Sequence, residues 1–119
     1  MAKPFPITIY HNSRCTTSKH VLDIIEAAGH KPEIVEYLKT GWTKPQLKQL
    51  FAAAGLTPRQ ALRAKQKEAE ELGLNNPKIG DTGLLDAMIE HPVLVERPFV
   101  VTPKGTRLCR PKETVQEIL

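Results

Sequence analysis

ITIYHNSRCTTSKHVLDIIEAAG, residues 7–29, decides the fold. Its first four residues are β-branched or aromatic, the composition of a buried strand. From Val21 onward Val21, Leu22, Ile24, Ile25 and Ala28 recur near the 3.6-residue period, and Gly29 is a suitable stop. A strand over 7–10 and a helix over about 16–28 leave Cys15 at the helix mouth. Downstream, PEIVEYL (32–38) sets Ile34 and Glu36 against Val35 and Tyr37 in strand-like alternation. Two strands separated by a helix make a β-α-β unit.

The remaining chain follows by the same local rules. Thr43 is placed to cap a helix, Pro45 fits its first turn, and Leu47, Leu50, Phe51 and Ala54 share a face before Gly55. Thr57-Pro58 opens a further helical piece through RQALRAKQKEAEELGL, with a break expected near Lys65 to Lys67. Asp81 is expected to cap a helix carrying Leu84, Leu85, Met88 and Ile89, which must stop before Pro92. FVV (99–101) and TRLC (106–109) flank Thr102-Pro103-Lys104-Gly105, whose Pro and Gly suit a type I turn, so a hairpin is expected. ETVQEIL then closes the chain with a short helix. The order β-α-β, helical insert, β-β-α matches an α/β thioredoxin-like fold: a mixed β-sheet flanked by helices, with a helical insertion.

Length and charge narrow the function. At 119 residues the chain fits a single domain over 1–119. No apolar run approaches the ~20 residues that span a bilayer, and MAKPFPITIY lacks the features of a secretory signal, so a soluble, cytoplasmic protein is expected, not a membrane one. The net charge of +4 is concentrated in residues 97–112, which hold Arg97, Lys104, Arg107, Arg110 and Lys112 and no acid. Aromatic interleaving, an RNA-binding signature and zinc-finger spacing are all missing, so the cluster points to a small anion rather than to nucleic acid.

Two cysteines are too few for a disulfide scaffold. A thiol is a good nucleophile near neutral pH only as its thiolate, and a helix N-terminus offers free N–H groups and a positive dipole end. The amides of Thr16, Thr17 and Ser18, the Ser18 hydroxyl, and a cationic His11 or Arg14 are all placed to favour the Cys15 thiolate. The competing reading of Cys15 is a small apolar core residue. Its loop of polar neighbours favours the reactive one. A phosphatase-type Cys-x5-Arg loop would need arginine where Val21 stands, and a Cys-x-x-Cys dithiol would need a thiol where Ser18 stands. On a strand, Cys109 would face away from Leu108 and Arg110, which assigns it to the core. Four scattered histidines give no zinc spacing, so no metal is expected.

ITIYHNSRCTTSK, ALRAK and EHPVLVERPFVVTPKGTRLCRP, in that order, resemble the glutaredoxin-dependent arsenate reductases, the ArsC family, over nearly the whole chain. RPFVVTPKGTRLCRP (97–111) is the most specific part. The resemblance implies an oxidoreductase that reduces arsenate to arsenite. Cys15 would be the nucleophile and His11 would keep it ionised, while Arg63, Arg97 and Arg110 would bind arsenate. Ser18 and Lys19 would support the thiolate or glutathione. Lys19 stands where the family tends to carry arginine, which keeps the charge and loses the planar fork. Pro98 would be the cis-proline beside the cysteine. Glutathione would be co-substrate and glutaredoxin the partner of a monomer, with no bound cofactor. Two alternatives share the fold. One is an ArsC-like glutathione-dependent thiol reductase with another substrate. The other is an Spx-like regulator that binds RNA polymerase, against which Ser18 argues, because such regulators usually carry Cys-x-x-Cys.

Overall fold

Ile7 and Ile9 alternate with Thr8 and Tyr10 to make β1 (Thr8–Tyr10), whose apolar side turns to the core. The computed structural model describes residues 5–119; residues 1–4, part of the chain start considered above, lie outside these. The described residues fall into two compact units, one from the chain ends, up to Thr40 and from Arg97 onward, and the other over Gly41–Glu96.

The first unit carries the sheet. After β1 come α1 (Thr16–Ala27), β2 (Glu33–Val35) and a single-turn α2 (Tyr37–Thr40). After the second unit the chain returns through β3 (Phe99–Thr102), β4 (Gly105–Leu108) and a closing 3₁₀ helix, Lys112–Ile118. Strand order is β2-β1-β3-β4, with β1 parallel to β2 and antiparallel to β3, and β3 antiparallel to β4. This is the mixed sheet of a thioredoxin-like fold. In the register Ile9 faces Val100, and these two, with Ile7, Val21, Ile25, Cys109, Val115 and Ile118, form one buried cluster. Burying each such aliphatic side chain is worth about 1.5–3 kcal/mol. Cys109, one residue past the end of β4, belongs to this packing, as expected of a core residue. The hairpin forms as expected, and Gly105 sits at φ +147, where a side chain would be strained.

β2 is shorter than its alternation predicts. Its ladder ends where the His11 N–H donates to the Val35 carbonyl, and the Lys39 and Thr40 N–H groups then fold back onto the Glu36 carbonyl. Tyr37 is consequently buried as the first residue of α2, and Ile34 is left 47% exposed.

The second unit is helical: α3 (Lys44–Ala54), α4 (Pro58–Ala61), α5 (Lys67–Glu71) and α6 (Asp81–Glu90), followed by a 3₁₀ turn at Pro92–Leu94. Thr43 caps α3 in a reciprocal box with Gln46, and Gly55 ends it at φ 72, as the sequence predicts. α3 and α4 both pack on α6, whose Leu84, Leu85 and Met88 are buried. Two expectations are corrected. The helix opened by Pro58 stops at Ala61, before Lys65, because Leu62 leaves it to bridge Val95, while the Arg63 N–H donates to the Leu94 carbonyl and the Glu96 N–H to the Ala61 carbonyl. The cap of α6 is Gly80, with Asp81 the first helical residue, where its charge still favours the dipole.

No helix among the described residues is long and apolar enough to cross a membrane. No group of three or more His, Cys, Asp and Glu among them is placed to hold a metal ion.

Candidate active site

The loop between β1 and α1 is folded by its asparagine. The Asn12 carbonyl accepts the Cys15 N–H at 3.0 Å, its side-chain Oδ1 accepts the Arg14 N–H at 2.9 Å, and its own N–H donates to Ser18 Oγ at 3.1 Å. These bonds set Cys15 as the residue before α1, with extended backbone at φ −95 and ψ 120. Helix caps usually present an oxygen to the first free N–H groups. Here the cap presents sulfur, toward which the Ser18 main-chain N–H of the first turn acts.

Around that sulfur the fold gathers groups from both ends of the sequence. Arg110, just past β4, places Nη1 3.8 Å from Cys15 Sγ, and the same Nη1 donates to the Arg97 carbonyl at 3.2 Å. Arg97 is itself buried, only 8% exposed, and is joined to Pro98 by a cis peptide bond. Cys15 is 9% exposed, and burial raises its pKa. The Ser18 main-chain N–H, the Arg97 charge and hydrogen bonding from Arg97 and Arg110 lower it by more, so the net shift is below the ordinary 9.0.

The other predicted residues are placed as follows. Ser18 is fully buried, and its hydroxyl pairs with His11 Nδ1 at 2.7 Å, so its hydroxyl is occupied by His11 and Asn12 and its amide is what acts on the sulfur. His11 is buried too. Desolvation lowers its pKa, Glu36 opposes this and Lys19 adds to it, leaving the value below 6.5. The lowered pKa disfavours the imidazolium that would support the thiolate, and the ring holds the Ser18 hydroxyl. Lys19 and Arg14 are exposed. Arg63 belongs to the second unit, half-buried, with its main chain tied to Leu94. Arg107, left out of the site by its strand parity, pairs with Glu117 at 3.4 Å. The residue that sequence reasoning missed is Asn12. Its signal was present, since Asn two residues before a backbone N–H favours an Asx turn.

Cys109 behaves oppositely to Cys15. Burial, then the Glu117 charge, push its thiol up to about 12 against a smaller opposing effect of Arg107. Alkylation rate follows the thiolate fraction, which rises with pH. Iodoacetamide should therefore label native Cys15 with a midpoint below pH 9.0 and leave Cys109 unlabelled, as peptide mass mapping would show. The two shifts act on stability with opposite sign. The depressed Cys15 adds stability that is complete above pH 9.0 and is lost as pH falls through its folded value. The raised Cys109 adds stability that is complete below pH 9.0 and is lost as pH climbs towards 12.

A thioredoxin-like sheet with a single loop cysteine, an amide at its sulfur and two guanidinium groups beside it defines a thiol site built for anions. The ArsC family model matches residues 10–118, and the chain belongs to that family. The arsenate reductase ArsI2 of Synechocystis is 58% identical over 113 residues, which is 95% of this chain and 81% of that protein. The arsenate reductase of Escherichia coli K12 is 50% identical over the same share of this chain and 80% of its own. Among solved structures, an arsenate reductase from Vibrio cholerae superposes with a TM-score of 0.94 at 38% identity, covering 98% of this chain and 100% of that one.

Proposed function

We propose that this chain reduces arsenate to arsenite through the Cys15 thiolate. The observation that carries the reading is the Cys15 sulfur, its pKa depressed, lying 3.8 Å from Arg110 and under the charge of buried Arg97. Arsenate is a tetrahedron of oxygens with one to two negative charges near pH 7, and guanidinium forks bind such oxygens bidentately without losing charge. Arg63, the third arginine that the family resemblance assigns to arsenate, enters by that resemblance alone.

The thiolate attacks arsenic, an S–As bond forms, and one oxygen leaves as water after taking up protons; arsenic remains As(V). Arg97 and Arg110 offset the charge on the remaining oxygens. Because Ser18 fills the position of a second loop thiol and Cys109 is buried, an external thiol completes the reaction. That thiol is glutathione. Its sulfur attacks Cys15 Sγ, the S–As bond breaks with its electron pair kept on arsenic, and arsenite leaves. Glutaredoxin then takes the glutathionyl group from the Cys15 mixed disulfide and restores the thiolate. Glutathione is consumed as co-substrate, and neither a metal nor a bound cofactor is required.

The test is reduction of arsenate by the purified chain with glutathione, glutaredoxin and a glutathione-recycling system, read as NADPH consumed and arsenite formed. Turnover that needs all three supports the reading. Cys15 glutathionylation without arsenite production would instead favour a thiol reductase with another substrate.

A further inference from the structure

The guanidinium that touches the sulfur also lines a cavity. Arg110 shares a space of about 410 Å³ with Thr17, Pro111, Lys112 and Glu113. Of its lining residues, Arg110 is also the one whose Nη1 lies 3.8 Å from Cys15 Sγ. Its volume falls in the range of small-molecule sites. Its wall carries two cations, Arg110 and Lys112, and one anion, Glu113. Neither Lys112 nor Glu113 is in an ion pair among the described residues. A second cavity is lined by His11, Arg14 and Glu36, but its acid, Glu36, is already paired with Lys39 at 3.2 Å.

We propose that the cavity formed by Thr17, Arg110, Lys112 and Glu113 docks the thiol co-substrate, a peptide thiol with two carboxylates and one ammonium. Lys112 and Arg110 receive the carboxylates, Glu113 receives the ammonium, and the thiol is delivered past Thr17 to Cys15. This rests on the reading that an external thiol completes the reaction, and glutathione has that charge pattern. The chemistry is the disulfide step above: the S–S bond forms as the S–As bond breaks, two sulfurs are oxidised and As(V) becomes As(III). Delivery from this side lets Arg110 accompany both reactants, first the oxyanion and then the incoming thiol.

The docking is measurable without arsenate. Oxidised glutathione reacts with the Cys15 thiolate to give the mixed disulfide and one glutathione thiolate, and intact-protein mass spectrometry gives the rate. Bis(2-hydroxyethyl) disulfide does the same chemistry with no charges for the wall to recognise, so the ratio of the two rates cancels changes in thiolate fraction or folding. Lys112→Glu should lower that ratio about fivefold, the size of one exposed charge interaction at the upper end of its usual range. Lys39→Glu should leave it unchanged. An unchanged ratio in Lys112→Glu, or a fall in Lys39→Glu instead, would overturn the proposal. Since arsenate takes no part, either result is separate from success or failure of the arsenate assay.

Discussion

Cys15→Ser takes arsenate reduction to background, a loss of at least about 10³-fold in turnover. The serine hydroxyl in the same cap position stays protonated at pH 7, so the Arg97 and Arg110 charges have no sulfur anion to hold. In the proposed mechanism the substitution also removes the later chemistry, because an oxygen cannot form the mixed disulfide that would release As(III). It costs little fold stability, since the side chain sits in a polar loop rather than in the Ile9–Val100 cluster. Cys109→Ala provides the contrast. It removes a fully buried sulfur from that cluster and lowers the melting temperature, yet it keeps turnover, because a thiol pushed up to about 12 supplies no nucleophile. Turnover persisting in Cys15→Ser would remove the whole mechanism.

Features set by short-range physics were legible in the sequence. The Thr43–Gln46 box and Gly55 bracket α3 through interactions within four residues, and the hairpin at Pro103–Lys104 is specified by its own turn. The placement of Cys15 follows from the change of period between ITIY and the helix after it. What was not legible depends on partners distant in sequence. Leu62 leaves its helix for Val95, and nothing between Pro58 and Lys67 announces that pairing. The pKa of His11 is lowered chiefly by burial that exists only once the chain has packed, which its place in the sequence does not announce. The contact of Arg110 with Cys15 spans 95 residues, and without the family resemblance either arginine would read as an ordinary surface cation. The expectation that Cys109 packs inward was met although β4 ends at Leu108, one residue before it.

Arg97→Ala should lower kcat/KM for arsenate by about 10²–10³, which is the usual cost of removing one preorganised partner of a developing oxyanion. Two separable effects combine. Arg97 is the leading charge that depresses the Cys15 pKa, so its removal moves the alkylation midpoint of Cys15 to higher pH and thins the thiolate at neutral pH. It also removes a buried fork from the oxyanion, which raises KM. The arrangement of Arg110 should survive, because Arg110 is held by the main-chain carbonyl of residue 97, which alanine retains. Arg97→Lys splits the two effects. An ammonium keeps the charge near the sulfur, so the alkylation midpoint stays near that of the wild type, while loss of the planar fork still raises KM for arsenate. An alkylation midpoint in Arg97→Ala identical to the wild type would show that the charge of residue 97 does not reach the sulfur. The thiolate would then rest on the Ser18 amide and Arg110 alone.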